Sequence, residues 1–483
     1  MNDVKTRWLA LYVLCLGDLM IVLDSSIVNV ALPSIQSDLG FSQSALAWVV
    51  NAYLLTFGGF LLLSGRLGDL LGNRRVFLGG VVAFVVASVA CGLAPTAGLL
   101  VAGRAVQGLG GAAVSAVALS LIVELFQDPA ERAKAMGFFG FVMSGGGAVG
   151  VLLGGVLTGL FSWHWIFLVN VPIGVGVFVA ARRVLPTDEV VAQRGRIDVL
   201  GAVLVTAALM LSVYGIVESE PWLIVGSVIL LAVFVLRESR VAEPLVPLRL
   251  FRLRNVVVSQ VVGVLWAAAM FAWFFLAALY LQQVLGYDAL EVGLAFVPTS
   301  VVMAYCSLRV SDKLVLRFGI RPPLVVGLLL AAVSLALFSR APVDGHFLVD
   351  VLPSMLLLGA GAGIAFNPVL LAAMGDVEPH ESGLASGVVN TSFMMGGALG
   401  LAVLVSLSSS RTSSLLADGA GSLEALNGGF QLAFGAGACF AALAALVGGV
   451  FLRPKPMAMP DDESGSPVVE QRAPASVVET PEG

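Results

Sequence analysis

Charge is what this 483-residue chain has least of: Asp, Glu, Lys and Arg together make up 12% of it, against 58% hydrophobic residues. A soluble fold has no interior large enough to hide that much apolar surface, and the mean hydropathy of +0.98 points to lipid as the solvent. Cysteine is equally sparse. Cys15, Cys91, Cys306 and Cys439 stand far apart inside apolar runs, without metal-ligand spacing, and read as packing residues. The chain also lacks a Gly-x-x-x-x-Gly-Lys-Ser/Thr phosphate loop, a soluble domain, and any cluster of His, Cys and acid at catalytic spacing. These absences exclude an ATP-driven pump or a membrane-embedded enzyme, and imply no metal, no cofactor and no nucleic-acid partner.

What the chain does have is long apolar runs. Each crossing of a bilayer takes about 20 apolar residues, whose backbone must satisfy its own hydrogen bonds as helix. Breaking the sequence at charged or Gly/Pro-rich points predicts an all-α polytopic membrane protein with fourteen spans near 8–33, 45–65, 75–94, 97–125, 132–158, 163–185, 197–216, 222–238, 255–284, 289–310, 321–340, 348–374, 382–407 and 430–452. The first run is too long for a signal-peptide core and has no small-residue cleavage site, so it is kept as the first span. With both termini cytoplasmic, all of the 26 Lys and Arg fall on the inside except Arg340 and Arg411 outside and Arg104 within a span. That asymmetry supports the orientation and an even number of spans.

An internal repeat accounts for the number fourteen. The segment Lys313 to Arg321 aligns with Arg66 to Arg74, setting Gly319 opposite Gly72 and Arg321 opposite Arg74, with Leu316 in place of an acid. Six helices with short loops occupy about 180 to 200 residues, so an offset of 247 leaves room for one extra helix pair, assigned to the seventh and eighth spans. The predicted organisation is a cytoplasmic N-terminus at 1–7, a six-helix bundle at 8–185, an inserted pair with its linkers at 186–254, a second six-helix bundle at 255–452, and a tail at 453–483. That tail holds Pro454, Pro456, Pro460, Pro467, Pro474 and Pro481 among acidic residues, and reads as a disordered, cytoplasmic terminus.

Several motifs carry a family likeness. Gly65-Arg66-Leu67-Gly68-Asp69-Leu70-Leu71-Gly72-Asn73-Arg74-Arg75 reads as a short charged loop between two apolar runs. It resembles the loop joining helices 2 and 3 in the major facilitator superfamily of secondary transporters, which gates the cytoplasmic side; Gly65, Asp69, Gly72, Arg74 and Arg75 are its candidate residues. Leu23-Asp24-Ser25-Ser26-Ile27-Val28-Asn29-Val30-Ala31-Leu32-Pro33 is similar to the first-helix signature of fourteen-helix drug:proton antiporters. A carboxylate inside a span is costly to keep charged, which suits Asp24 to bind and release a proton as its exposure changes. The alternative is an acid near the outer end that pairs locally. Asp18 lies deeper, outside the signature, and reads either as a second titrating site or as a locally paired acid.

Arg104-Ala105-Val106-Gln107-Gly108-Leu109-Gly110-Gly111-Ala112 resembles the superfamily's fourth-helix motif, whose buried arginine takes part in proton transfer. A guanidinium in a span costs about 2.5 to 3.5 kcal/mol, so Arg104 wants a partner, with Asp24 or Asp18 the candidates; snorkelling to the outer interface is the other reading. Gly108 heads a small-residue face for close helix packing, as do Gly146, Gly150 and Gly154 in the fifth span. The fifth span resembles the motif that marks exporters, although Val151 stands where proline is usual. Trp163-His164-Trp165-Ile166-Phe167-Leu168-Val169-Asn170-Val171-Pro172 again resembles the fourteen-helix branch, with His164 where arginine is common, most simply a structural residue.

In the second half, Trp266, Met270, Phe271 and Trp273, with Gln282 after them, offer an adaptable apolar wall, and Asn390 and Met394 a second one; Asn29 joins them from the first span. No acid lies deep in spans nine to fourteen, which suits neutral, zwitterionic or singly charged cargo. The resemblance therefore implies a monomeric plasma-membrane antiporter that exports a hydrophobic drug or antibiotic-like molecule in exchange for protons by alternating access. A proton-coupled importer or uniporter on the same fold is the alternative, kept open by Val151.

Overall fold

The protein is described here by a computed structural model covering residues 4–186, 198–241, 244–246, 248–374 and 382–453; most of the linker after Leu185 and the acidic tail lie outside these residues. Every regular element among them is helical. The first six are α1 (Val4–Leu39), α2 (Trp48–Leu71), α3 (Asn73–Gly92), α4 (Ala97–Leu125), α5 (Pro129–Leu160) and, after a single turn at Trp165–Leu168, α6 (Asn170–Val184). A hairpin of α7 (Val199–Val217) and α8 (Pro221–Glu238) follows. The second half contains α9 (Arg254–Leu279), α10 (Ala289–Tyr305), α11 (Arg321–Phe338), α12 (Leu352–Met374), α13 (Ser382–Ala417) and α14 (Ser422–Phe451). Wide π-type turns extend α9 through Val284 and α10 through Ser311, and another precedes α12.

Thirteen helices among the described residues are long and apolar enough to cross a membrane. The 32-residue α5, with its apolar stretch Val149–Leu160, occupies the place of the span expected at 132–158. All fourteen expected spans thus correspond to helices, but several run longer than hydropathy suggested: α1 continues to Leu39 and α13 to Ala417. A helix keeps its own backbone hydrogen bonds whether lipid or water surrounds it, so leaving the apolar layer does not end it.

The same physics corrects the reading of Gly65 to Arg75 as a loop. Residues Gly65 to Leu71 are the last two turns of α2, and the chain reverses at Gly72 alone, whose φ of 97° lies where a side chain is disfavoured. Its repeat partner Gly319 has φ 77° and ends the helical segment Asp312–Phe318 in the same way. The repeat is therefore a shared device, a helix carried past its apolar stretch and stopped by one left-handed glycine. Arg74 donates to the carbonyl of Arg182 at the end of α6 (2.5 Å), and Asn73 to Glu124 near the end of α4 (2.6 Å), which moors the reversal to two neighbouring helices.

Packing sorts the helices into two bundles. In the first, α4 lies between α2 and α3, and α1 against α5 and α6; in the second, α9 packs on α13 and α14, and α12 on α10 and α11. The bundles meet along two seams, α2 with α13 and α5 with α10, and α1 also touches α9. Glycine makes these approaches possible. A Cβ on Gly108 would stand 2.5 Å from the carbonyl of Tyr53 on α2, and one on Gly154 2.6 Å from that of Ile27 on α1. Gly146 and Gly150 face Val22 and Ser26 of α1 one turn apart, as their spacing predicts.

The α7–α8 hairpin lies across the first seam, with α7 packed on both α2 and α13. Thr206 sits directly against Gly59, and Ser406 donates to the carbonyl of Ile216. A polar clamp closes the open end of the hairpin, opposite its turn. Asp198 caps α7 by accepting from the Gly201 amide (2.8 Å) and pairs with Arg237 of α8 (2.8 Å), while Glu238 accepts from the Val246 amide (2.8 Å). Burial alone would push the Asp198 carboxyl up, but the Arg237 and Gly201 hydrogen bonds outweigh it and hold it below the usual carboxylate range. A carboxyl lowered on folding contributes stability above its unfolded value, about 3.9, and loses it only as pH falls through the folded value. The Asp198–Arg237 pair is thus engaged at neutral pH. In Arg237→Gln, trypsin is expected to cut after Arg240 several-fold faster than in the wild type at pH 7; an unchanged rate would show that Arg237 does not hold this linker.

Candidate functional site

Five helices of the first bundle, α1, α2, α3, α4 and α6, contribute to a polar cluster around Asp24. This residue is fully buried on α1, and one of its carboxylate oxygens pairs with Arg104, also fully buried, on α4. Of the two acids proposed as partners for Arg104, the structure selects Asp24, and burial excludes a snorkelling arginine. The Nε–H of Arg104 donates to the Val49 carbonyl at the start of α2 (2.9 Å), and its guanidinium lies over the ring of Tyr53, 4.3 Å from the centroid. Phe167, in the turn before α6, covers it from another side at 5.7 Å. The cation is thus enclosed by one carboxylate, one carbonyl and two aromatic faces, the kind of surroundings that offset the cost of burying it.

The other oxygen of Asp24 accepts two amide N–H groups, from Gln107 on α4 (2.9 Å) and Asn170 at the head of α6 (2.8 Å). Gln107 also accepts from Arg104 (2.8 Å) and donates to Ser88 on α3 (2.7 Å), whose hydroxyl donates in turn to the Phe84 carbonyl (2.8 Å). Sequence reading did not single out Gln107, Asn170 or Ser88 for this cluster. A signal for them existed: each is a polar residue inside an apolar run, and Gln107 follows Arg104 by one helical turn.

Asp18 is apart from this cluster. It is fully buried, accepts from Ser115 of α4 at one oxygen, and its other oxygen has no partner among the described residues. Asn29 turns back on its own helix, donating to the carbonyls of Ser25 and Ser26. On α9, Trp266 and Trp273 are almost wholly buried, and Trp273 packs edge-on against Phe274, Phe296 and Phe338 in the second bundle's core. Met270 and Phe271 are half-buried, Phe271 lies against Phe393 and Gly397, Met394 faces Gly58 across the α2–α13 seam, and Asn390 is exposed.

Gln282 joins the bundles instead of standing free: it donates to the Val30 carbonyl of α1 (2.9 Å), and Gln283 donates to Gln36 (2.8 Å). Both ties lie at the α9 end opposite the Gly72 reversal, the side expected to face outward. Of the expected gating residues, Gly72 makes the turn, Arg74 is moored to α6, and Asp69 and Arg75 are exposed. Among the described residues no group of three or more His, Cys, Asp or Glu is placed to hold a metal.

Comparison with known proteins agrees with this architecture. The family model for the Major Facilitator Superfamily matches residues 14–401. The puromycin resistance protein pur8 of Streptomyces alboniger is 39% identical over 422 residues, covering 85% of this chain and 84% of its own length. The cephamycin export protein CmcT of Amycolatopsis lactamdurans is 39% identical over 424 residues, covering 85% and 87%. Among solved structures, an auto-inhibited POT family peptide transporter superposes with a TM-score of 0.68 at 15% identity, covering 96% of this chain and 99% of its own, a likeness of fold alone. A family model spanning most of the chain and relatives aligned over nearly its whole length identify it as a multi-pass membrane protein of the major facilitator superfamily, a family of transporters and not of enzymes.

Proposed function

We propose that this chain is a proton-coupled antiporter of the fourteen-helix drug:proton branch, exporting a hydrophobic drug or antibiotic-like molecule across the plasma membrane. Both termini are cytoplasmic, the working unit is a monomer, and the halves that move are residues 8–185 and 255–452, joined by the inserted pair within 186–254. The observation that carries this reading is the fully buried Asp24–Arg104 pair with its amide donors. A buried acid beside a fixed cation is suited to a reversible proton site, whose occupancy changes the fit of the helices around it. The names of relatives, a puromycin resistance protein and a cephamycin exporter, support this cargo class and direction.

In this mechanism the cargo enters from the cytoplasmic side between the bundles, against Met270, Phe271 and Met394. Proton arrival at Asp24 from outside resets the carrier, and Asp18 is a second buried acid on the same helix. The Gly72 reversal, with Asp69, Arg74 and Arg75, sets how far the cytoplasmic ends of α2, α4 and α6 part. The departure at Val151 favours an importer or uniporter as the rival reading, because α5 keeps the amide that proline would remove and runs unbroken.

Accumulation of a panel of fluorescent hydrophobic compounds in expressing cells, with and without a protonophore, separates the two. Exclusion of at least one compound that collapses with the protonophore supports export. Accumulation above that of control cells would establish the importer, and transport indifferent to the protonophore would remove the proton.

A further inference from the structure

The hydrogen bonds of Asp24 are unequally shared between its oxygens. One faces the Arg104 guanidinium, and the other receives two neutral amides, Gln107 at 2.9 Å from α4 and Asn170 at 2.8 Å from α6. Both amides also lie against one hydroxyl on α3, Ser88, at 2.7 and 3.4 Å. All three Asp24 partners donate, so the arrangement suits an ionised carboxylate. A protonated carboxyl has a hydrogen to give and less acceptor capacity, and no acceptor faces it among these partners. Asn170 is almost wholly buried, which makes a lost partner costly to that amide too.

Resting on the reading of Asp24 as the proton site, we propose that Asn170 and Gln107 are positioning residues for it: a proton arriving on Asp24 displaces one of these amides, and so releases α6 or α4 from α1. Asn170 is the more consequential of the two. Gln107 shares its helix with Arg104, whereas the Asn170 amide is the hydrogen bond that brings α6 to the carboxylate. Its displacement would pass proton occupancy on to the helix whose last turn receives Arg74 from the Gly72 reversal, 2.5 Å from the Arg182 carbonyl. The proton site and the cytoplasmic reversal are thereby connected through one helix. The titratable groups around Asp24 are Arg104 on α4, Tyr53 on α2, Cys91 on α3, and Asp18 six residues earlier on α1. None of these changes when Asn170 is replaced.

The test follows the proton directly and needs no cargo. The purified full-length protein in liposomes is titrated by infrared difference spectroscopy, and the carboxylic C=O band of Asp24 is identified as the one missing in Asp24→Asn. Asn170→Leu keeps the branching and the number of side-chain heavy atoms and removes the donor, so the carboxylate loses a stabilising hydrogen bond and the midpoint of the band moves to higher pH by about one unit. Gln107→Leu moves it the same way.

Should Asn170→Leu fail to fold, Asn170→Asp carries the test: it sets a second carboxylate against the first, and the midpoint rises further. A midpoint unmoved in a folded Asn170 variant would overturn the positioning role while leaving Asp24 as the proton site. A wild type with no titrating band assignable to Asp24 would overturn the coupling reading, and this inference with it.

Discussion

Asp24→Asn is expected to abolish proton-driven export while leaving the protein in the membrane, and to lower its thermal stability. The substitution preserves shape and removes the charge. Arg104 then keeps its carbonyl and its aromatic cover but loses its counter-ion in a fully buried site, and breaking a buried pair from one side costs about 3 to 5 kcal/mol. Arg104→Gln does the converse, stranding the Asp24 carboxylate among neutral amides. The double variant Asp24→Asn/Arg104→Gln strands neither, so it should unfold at a higher temperature than either single variant and still fail to export. Thermal unfolding of the four purified proteins and compound accumulation in cells test both halves. Protonophore-sensitive export by Asp24→Asn would transfer coupling to Asp18, and a double variant no more stable than the singles would mean that the pair is not energetically closed.

Why Asp24 and Arg104 were legible and their amide partners were not follows from how lipid sorts residues. A full charge in an apolar run is conspicuous, because its cost demands a partner, and the partner was correctly narrowed to two acids. Gln107, Asn170 and Ser88 carry no charge, and polar residues of this kind also occur in spans with their side chains bonded back to their own helix, as Asn29 is. Only the convergence of α1, α3, α4 and α6 distinguishes the two uses.

The position of Trp273 was hidden for a different reason. Hydropathy has no direction, so a large aromatic serves lipid, core or cavity equally well in sequence, and here it fills the second bundle's core. The spans themselves were legible to within a few residues wherever the apolar layer ended them. They were misjudged at Gly65 to Leu71, where hydrogen bonding and not hydropathy sets the limit.

Gly155→Val should have an effect on export nearly as large, by an unrelated route. Gly154 and Gly155 point to different partners: the first meets Ile27 on α1, and the second meets α10 of the other bundle, where a Cβ would stand 2.6 Å from the Ala289 carbonyl and 3.1 Å from the Gly293 Cα. These are backbone atoms and cannot rotate aside, so a branched side chain at 155 has to push α10 away from α5. The contact lies at the same end of the molecule as the Gln282–Val30 and Gln283–Gln36 ties, all of them joining the two bundles there. An arrangement in which the bundles part at that end does not contain the contact and is not penalised. Overpacking costs about 1 to 3 kcal/mol, enough to shift a two-state balance by roughly 5- to 150-fold toward the parted form. A carrier held in one form does not cycle, so export should fall to a small fraction of the wild type. The movement itself can be read from Ile35→Cys, a fully buried position near the end of α1 that carries these ties, in a Cys439→Ala background: labelling by an impermeant maleimide should be slow with Gly155 and fast with Gly155→Val. Gly147 serves as the control on the same helix, since a Cβ there would find its nearest neighbour, Ser26 Oγ, at an ordinary 3.7 Å. Gly147→Ala should therefore export and stay protected, and a Gly155→Val protein that does the same would show that this seam does not open in transport.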